Sequence, residues 1–192
     1  MNPHGVVNTP LTGESNVTEH FVNKTDTPSA EKDLWQTPQD LFDAINNEFG
    51  FDMDICASDG NALCSTFFTE ERSALGLQWD MYYRHANCFL NPPYSETQLF
   101  MERAAQQAKV NNLTVVALVN ANTDTKWFAD AVKSANEVRL FTGRIGFVKP
   151  NGKKANGNPK GQCLIIWRGN CKTPCQISMV DRNELLSLGA ES

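Results

Sequence analysis

The stretch 87-NCFLNPPYSE-96 begins with a short apolar run, Cys88-Phe89-Leu90, that stops at Asn91-Pro92-Pro93-Tyr94. Each proline fixes its φ angle and lacks an N–H donor, so neither can continue a hydrogen-bonded strand. The nearby carbonyl groups are thereby held rigidly for accepting hydrogen bonds, and the amide oxygen of Asn91 adds another acceptor. We therefore interpret Asn91–Tyr94 as a site at the mouth of a strand.

The chemistry of these four residues indicates what the site could take. Two converging acceptors beside an aromatic ring suit a planar group that carries an NH₂. Adenine fits, because its exocyclic amine donates two hydrogen bonds and its ring can stack on Tyr94, at about 1–3 kcal/mol for such a base–aromatic contact. Drawing the amine hydrogens toward two oxygens also makes the nitrogen lone pair more available. Asn91, Pro92, Pro93 and Tyr94 are accordingly the candidate catalytic residues.

Strand-like and helix-like segments alternate on both sides of this site. The run 113-LTVVALV-119 is continuously apolar, as in a strand that is buried on both faces. Thr37 is the predicted N-cap of a helix that has Pro38 at its first position. The predicted strands are 51–55, 65–69, 78–79, 87–90, 113–119, 137–141 and 163–167, and the predicted helices are 38–49, 97–110 and 124–134. This alternation predicts an α/β fold with a mostly parallel central sheet.

Three acidic residues follow successive predicted strands: Asp54, Glu70 and Asp80. Ligands of such sheets bind beyond the carboxyl ends of the strands, so we expect these carboxylates to line one edge together with Asn91–Tyr94. There they can accept hydrogen bonds from an ammonium group, a ribose diol or an amine. The sequence has neither Gly-x-Gly-x-x-Gly nor a Walker loop and gives no support for a dinucleotide or triphosphate cofactor.

Charge is distributed unevenly along the chain. The net charge is −5, yet residues 138–180, called the basic block below, contain eight basic side chains and no acidic one. Such a block is a candidate polyanion-binding surface. Within it, the Gly/Asn/Lys-rich residues 149–161, called the basic loop below, predict a long flexible loop on which Asn156 and Asn158 could read an adenine edge. The candidate phosphate contacts are Arg144, Lys149, Lys153, Lys154 and Lys160.

The ends of the chain carry weaker patterns. Residues 1–32 are rich in Thr, Asn, Ser, Pro and Gly and predict a disordered tail. A folded domain is predicted over 33–170, followed by a C-terminal tail over 171–192 with a short helix at 181–188. We see no secretory signal and no membrane span, which favours a cytoplasmic location. The six cysteines and three histidines do not meet the spacing of zinc sites, so we expect no metal.

Several blocks, taken in their order, resemble the phage and bacterial Dam-like DNA N-6-adenine methyltransferases. The resemblance extends over about residues 33–168, nearly the whole predicted domain. The matching blocks are 34-LWQTPQDLFDAI-45, 49-FGFDMDICASDGNALCSTFFTEE-71, 78-QWD-80, 89-FLNPPYSE-96, 126-KWF-128 and 143-GRIGF-147.

The resemblance implies a Rossmann-like methyltransferase domain, S-adenosylmethionine as methyl donor, and double-stranded DNA whose target adenine is flipped out of the helix. In one place the chain departs from the broader methyltransferase pattern, because the usual Gly-rich turn after the first strand is Asp54-Ile-Cys-Ala-Ser58 here. The residues implied at the donor are Trp35, Thr37 and Pro38 as its cover, Asp54 under its methionine end, Glu70 (or Glu71) at its ribose and Asp80 at its adenine.

Other substrates remain open from the sequence. The amide of a protein glutamine presents the same NH₂ to Asn-Pro-Pro-Tyr, and an adenine in RNA is a further alternative. A relative that binds DNA without catalysing a reaction is the third alternative. The family implies short target sites that contain adenine, with GATC the first candidate, and a phage or prophage could use such an enzyme to evade host restriction.

Overall fold

The structure is a computed structural model that describes residue 31 and residues 33–190. The predicted N-terminal tail, apart from residue 31, lies outside the described residues. The strands are β1 (Met53–Asp54), β2 (Thr66–Phe67), β3 (Asn87–Leu90), β4 (Thr114–Asn120), β5 (Glu137–Thr142), β6 (Gln162–Arg168) and β7 (Gln176–Asp181). The helices are α1 (Gln39–Phe49), α2 (Thr97–Asn111), α3 (Lys126–Ser134) and α4 (Arg182–Ala190).

The described residues form one mixed sheet of seven strands in the order β2-β1-β3-β4-β6-β5-β7. Strand β6 runs antiparallel to both of its neighbours, β4 and β5, whereas the other pairings are parallel. The prediction of a mostly parallel sheet is therefore corrected to a mixed one. The reversal arises because the connection from β5 to β6 contains no crossover helix, which a parallel pair would need.

The strand order creates a crevice at one place on the sheet edge. The chain runs from β1 outward to β2 and then returns, so that β3 lies on the other side of β1. Such a topological switch point is where open α/β sheets bind ligands. Asp54 at the end of β1 is in register with Phe89, so Asn91 follows two residues later on the neighbouring strand.

Two apolar clusters cover the two faces of the sheet. Trp79, Phe100 and Trp167 belong to the cluster on the α2 and α3 side. Phe42 and Phe89 belong to the cluster under α1. Burying each such side chain contributes roughly 1.5–3 kcal/mol, so the two clusters together fix which face each helix covers. Within the described residues, no helix is both long and apolar enough to cross a membrane.

The first helix starts differently from its prediction. Helix α1 is confirmed, and it ends at Gly50, whose φ of 61° is the left-handed conformation that glycine adopts readily. Its N-cap, however, is Pro38, and no side chain caps it. The Thr37 hydroxyl, predicted as the cap, instead accepts a hydrogen bond from Asn91 Nδ2 at 3.0 Å.

The predicted strand at 78–79 is wrong. Trp79 begins a short 3-10 helix, Trp79–Met81, and is fully buried. Its burial comes from contact with α2, where Gln107 Oε1 accepts the Trp79 backbone N–H at 2.9 Å. The buried Trp79 was therefore interpreted as part of a strand, although its burial results from packing against α2.

The C-terminal residues predicted as a tail contribute a strand and a helix to the fold. Strand β7 pairs in parallel with β5 from Gln176 to Asp181. Helix α4 packs on α1 so closely that a Cβ added to Gly189 would lie 2.8 Å from Ala44 Cβ. The strand was missed because most of its side chains are exposed and carry no burial pattern.

The basic loop folds back onto the residues that precede it. Val148 forms isolated antiparallel bridges with both Gln36 and Lys154. The backbone N–H of Ala155 donates to the Phe147 carbonyl at 2.8 Å, and that of Asn158 donates to the Ile145 carbonyl at 2.8 Å. The loop therefore has defined hydrogen-bonded anchors, where the sequence predicted a long flexible connection.

Close packing of this loop requires glycine at position 146. A Cβ added there would lie 2.2 Å from the Ala155 carbonyl oxygen. We expect Gly146→Ala to lower the free energy of unfolding by about 1–3 kcal/mol, because the loop would have to move away. Urea denaturation measures this, with Gly76→Ala as the matched control, since a Cβ there meets no atom within 4 Å. Equal midpoints for the two variants would contradict the packing.

Candidate active site

A cavity of about 150 Å³ lies beyond the carboxyl ends of β3 and β4. It combines polar amides with aromatic rings, and it contains the predicted catalytic residues Asn91 and Tyr94. Its lining residues are Asn91, Tyr94, Thr97, Leu118, Val119, Asn120, Asn122, Trp127, Phe147 and Lys160. The cavity at the end of β3 thus has more aromatic surface than Tyr94 alone.

Asn91 is oriented by a residue that is distant in sequence. Its Nδ2 donates to Thr37 Oγ1 at 3.0 Å, which fixes the donor end of the amide. The opposite end, Oδ1, makes no hydrogen bond to any residue that the structure describes. Because an amide oxygen can accept two hydrogen bonds, Oδ1 is available to a ligand.

The two prolines contribute unequal carbonyl groups. The Pro93 carbonyl accepts from Thr97 Oγ1 at 3.1 Å and from the Glu96 backbone N–H at 3.1 Å, so the turn itself uses it. The Pro92 carbonyl makes no such bond with a described residue. The available acceptor pair is therefore Asn91 Oδ1 and the Pro92 carbonyl.

A buried amide network holds Tyr94. Its hydroxyl accepts from Asn158 Nδ2 at 3.1 Å, and the same nitrogen lies 3.4 Å from Asn120 Oδ1. Gln162 Nε2 also donates to Asn120 Oδ1, at 2.9 Å. Burial raises the pKa of the Tyr94 phenol, and the hydrogen bond from Asn158 only partly opposes this, so the phenol stays protonated near neutral pH.

The residues implied as the donor's cover lie beside Asn91. Thr37 and Pro38 are buried, and Thr37 contacts Asn91 directly. Trp35 is half-buried, with Lys149 Nζ 5.8 Å from its ring centroid. The indole Nε1 of Trp35 is buried and has no hydrogen-bond partner among the described residues. A buried donor without an acceptor is costly, which makes this N–H a candidate ligand contact.

Asp54 is almost fully buried at the switch point, with 2% of its surface exposed. Its carboxylate accepts the backbone N–H groups of Cys56 at 3.3 Å and Leu63 at 3.2 Å, so it shapes the loop after β1. Burial raises the pKa of Asp54 to about 7, although both hydrogen bonds oppose the shift. No basic side chain of the described residues forms an ion pair with it.

The two remaining acidic candidates are placed differently. Glu70 is exposed in the turn after β2 and lies at the same sheet edge as Asp54. Asp80 lies in the 3-10 helix that Gln107 anchors, ten residues along α2 from the cavity residue Thr97. At 1.5 Å per residue these two positions of α2 are about 15 Å apart along the helix axis, and the assignment of Asp80 to the donor's adenine stays a prediction.

The basic block divides into paired and unpaired cations. Arg139 binds Glu48 at 2.6 Å and Glu137 at 2.7 Å, and Arg168 also binds Glu137, at 2.8 Å. Lys154 pairs with Asp40 at 2.7 Å. Counting charges along the chain could not show these pairs, because Glu48 and Asp40 come from α1.

The remaining cations of the basic block include one that lines the cavity. Lys160 lines the cavity, and its Nζ lies 3.3 Å from Asn122 Oδ1. Lys153 and Arg144 are exposed, and Lys149 is half-buried against Trp35.

Asn156 is exposed on the basic loop, whereas Asn158 is buried, so the interpretation of Asn158 as a reader of a base edge is wrong.

Sequence reasoning missed four lining residues whose signals were present. Phe147 and Trp127 stand in the blocks Gly-Arg-Ile-Gly-Phe and Lys-Trp-Phe, which were quoted without a role for the aromatic ring. Asn120 and Asn122 follow the buried run of β4, just as Asn91 follows β3. The rule that directed attention to the end of β3 would have found them.

The described residues thus form a cavity at the carboxyl ends of β3 and β4, with aromatic walls and with Asn91 among its lining residues. Among the described residues, no group of three or more His, Cys, Asp and Glu side chains is arranged to hold a metal ion. The polar and aromatic lining of the cavity is compatible with a planar ligand that carries an amine.

Comparison with known proteins identifies the family. The family profile described as DNA N-6-adenine-methyltransferase (Dam) matches residues 24–192. The DNA N-6-adenine-methyltransferase of Haemophilus phage HP1 is 36% identical over 151 residues, which cover 77% of this chain and 85% of that protein. The protein of the same name from Escherichia phage T1 is 31% identical over 161 residues, covering 75% of this chain and 66% of that protein.

A shorter match is the putative methyltransferase YfdM of Escherichia coli, 37% identical over 65 residues, which are 32% of this chain and 71% of that protein. The family match extends over most of the chain, including Asn91–Tyr94. The chain belongs to the DNA N-6-adenine-methyltransferase (Dam) family, and its enzyme class is adenine-specific DNA methyltransferase.

The buried Asp54 carboxyl gives a testable pH dependence. Its pKa of about 7 in the folded state exceeds the unfolded value, so the folded state retains a proton between about pH 4 and pH 7 that the unfolded state has lost. Stability contributed by this group therefore falls as the pH rises through that range. We expect Asp54→Asn to remove the fall, which amounts to about 2–4 kcal/mol.

Denaturant unfolding at pH 4, 6 and 8 measures this difference between the native protein and the variant. Asp59→Asn is the control, because Asp59 is an exposed carboxyl on the loop that follows β1. If the stability of Asp54→Asn and of the native protein change in parallel with pH, the carboxyl is not titrating as its burial requires.

Proposed function

We propose that this enzyme transfers a methyl group from S-adenosylmethionine to N6 of an adenine flipped out of double-stranded DNA. The observation that carries the proposal is Asn91 Oδ1, an acceptor without a partner among the described residues, on a residue that lines the same cavity as Tyr94. The adjacent Pro92 carbonyl is a second acceptor without a partner among the described residues. Family membership supports DNA adenine as the acceptor. The RNA and protein alternatives have no comparable support from the matched relatives.

We infer a Rossmann-like methyltransferase fold for the domain, extended to include β7 and α4. The switch point between β1 and β3 supports this, because it places Asp54 and Asn91 at adjacent strand ends. In this arrangement the donor pocket adjoins Asp54 and Trp35, and the base pocket is the cavity beside it. Thr37, which contacts Asn91, would lie at the boundary between them.

Two features of the chain fit the proposed donor. Asp54 is a buried carboxyl without an ion-pair partner among the described residues, and a positively charged ligand group nearby would favour its ionised form. The buried Trp35 Nε1 has no acceptor within the described chain, and a bound ligand could supply one. S-adenosylmethionine, when bound, would supply a methyl carbon on a positively charged sulfur, which keeps the electron pair of the broken C–S bond.

The chain's own residues would act by holding the adenine amine. Asn91 Oδ1 and the Pro92 carbonyl accept its two hydrogens, which directs the nitrogen lone pair away from both oxygens. The nitrogen forms the new N–C bond and then loses one proton to solvent along the hydrogen bond to Asn91. Tyr94 supplies a ring for stacking, and Phe147 and Trp127 supply further aromatic wall. Most of the acceleration would come from this positioning.

The unpaired cations around the cavity would contact DNA phosphates. Lys153, Lys160 and Arg144 are exposed, and Lys160 lies at the cavity mouth itself. Such contacts orient a protein on the duplex and supply affinity without reading sequence. Lys149 and Lys154 are already engaged with Trp35 and Asp40, so we assign them smaller contributions.

The target is proposed to be a short site that contains adenine, with GATC the first sequence to test. Two of the matched relatives come from phages, which supports a phage or prophage origin. In that setting, methylation would protect the DNA that encodes the enzyme from host restriction.

Replacing Asn91 tests the catalytic proposal. We expect Asn91→Ala to lower the rate of methyl transfer about a hundredfold or more, because one of the two amine acceptors is lost. DNA binding should change little, since phosphate contacts supply most of it. Incubation with S-adenosylmethionine and unmethylated DNA, digestion to nucleosides and mass spectrometry for N6-methyladenine measure the product.

The matched control is Asn170→Ala, which removes an exposed amide in the turn after β6. It should retain the native rate. Full activity in Asn91→Ala would overturn the proposal. N6-methyladenine formed only in RNA, or methylated glutamine found instead, would move the substrate to one of the alternatives.

The unpaired cations of the basic block predict a measurable contribution to the salt dependence of DNA binding. Lys153→Ala and Lys160→Ala should each reduce the slope of log K against log salt concentration by about 0.9. Lys109→Ala, an exposed lysine near the end of α2 remote from the cavity, should leave the slope unchanged. Fluorescence anisotropy with a labelled duplex at several salt concentrations measures the slopes. Equal slopes for all the variants would exclude these phosphate contacts.

A further inference from the structure

One polar residue of the basic loop is turned inward. Among residues 151–160, most side chains are exposed, yet Asn158 is only 6% exposed. Its side chain uses both ends, because Nδ2 donates to Tyr94 Oη at 3.1 Å and Oδ1 accepts the Lys160 backbone N–H at 3.1 Å. A buried amide with both ends engaged has a defined orientation and cannot also contact DNA.

The backbone around Asn158 is built for this inward placement. Gly157 has a φ of 130°, a conformation that side chains rarely allow, and a Cβ there would also lie 3.0 Å from Arg144 Cβ. The Asn158 backbone N–H donates to the Ile145 carbonyl at 2.8 Å. The loop therefore makes a sharp turn next to Arg144 and places Asn158 behind the lining residues Tyr94 and Asn120.

We propose that Asn158 is a positioning residue that holds the Tyr94 ring in its base-stacking orientation. Through this contact, the basic loop in its folded-back position becomes a structural part of the base pocket. The inference rests on the proposed function, in which the adenine stacks on Tyr94. It adds that a loop carrying phosphate-binding lysines also holds the ring against which the base is placed. Lys153 and Lys160 lie on either side of Asn158 in the sequence. A phosphate contact at either lysine would therefore act on the same loop segment that holds Tyr94.

A second route connects the same loop with the other end of the Asn91–Tyr94 turn. The backbone of Lys154 forms an isolated antiparallel bridge with Val148, and Val148 forms another with Gln36. Gln36 precedes Thr37, whose hydroxyl accepts the Asn91 amide at 3.0 Å. The loop is therefore linked to Tyr94 through Asn158 and to Asn91 through three consecutive contacts. Seating the loop supports both residues that would hold the adenine.

A double-mutant cycle tests the positioning role. Asn158→Ala and Tyr94→Phe remove the same hydrogen bond from opposite sides, and Tyr94→Phe keeps the stacking ring. Each should lower kcat about five- to tenfold, the value of one net hydrogen bond, while KM for DNA changes less than about threefold. The double variant should be no slower than the slower single variant, because the shared contact can be lost only once.

A second measurement does not depend on catalysis. Releasing Asn158 should free the basic loop, so trypsin should cleave after Lys153, Lys154 and Lys160 several times faster in Asn158→Ala than in the native protein. Tyr94→Phe should increase the same cleavages to a smaller extent. Asn170→Ala should leave both kcat and cleavage at native values, and thermal unfolding confirms that all variants are folded at the assay temperature.

The two readouts separate the two proposals. Multiplicative losses of kcat in the double variant, or unchanged cleavage in Asn158→Ala, would overturn the positioning role. Faster cleavage in Asn158→Ala, together with a native protein that methylates no DNA, would uphold the contact and refute the proposed function. Non-additive kcat losses with faster cleavage are the expected result.

Discussion

The hydrogen bond between Asn91 Nδ2 and Thr37 Oγ1 is the interaction on which the site depends. An amide has one donor end and one acceptor end, so fixing Nδ2 leaves Oδ1 to face a ligand. The same bond attaches the segment before α1 to the end of β3 and thereby closes one side of the crevice at the switch point. It also gives the Thr37 hydroxyl a partner other than α1, whose N-cap is Pro38 and which has no side-chain cap. Helix capping is worth only about 1 kcal/mol, and the fold uses the hydroxyl elsewhere.

A second constraint comes from burial without charge compensation. Asp54 lies at a strand end where backbone N–H groups hydrogen-bond its carboxylate, yet its pKa is raised by the loss of solvent. Behind the cavity wall, Asn120, Asn158 and Gln162 form a network of neutral amides, and Lys160 is the charged residue among those that line the cavity. Asp54 and the amide network thus form two regions of different electrostatic character. Adjacent strands, β1 and β3, place the two regions side by side.

Local sequence patterns were sufficient for the elements whose signals are local. The apolar run of β4, the periodicity of α1 and the break at Asn91 each reflect interactions within a few residues, and the structure contains all three. The predictions that failed concerned residues whose surroundings are set by partners distant in the sequence. Trp79 is buried by α2 and not by a strand, and β7 has exposed side chains that show no pattern. Arg139 and Lys154 looked available for DNA until the fold placed Glu48 and Asp40 beside them. Asp80, Asn158 and the cavity walls likewise became interpretable only with the three-dimensional arrangement.

The reversed direction of β6 has a consequence for how members of such a family can diverge. Because β6 returns antiparallel, the segment between β5 and β6 leaves and re-enters the sheet at one edge, next to Asn120 and Gln162. A segment of this kind can be exchanged or lengthened as a single cassette without shifting the register of either strand. The exchanged segment has to keep only the anchoring positions Gly146, Val148 and Asn158 in order to pack in the same place. One strand reversal thereby allows this segment to vary in length and sequence while the strands that position Asp54 and Asn91 keep their register.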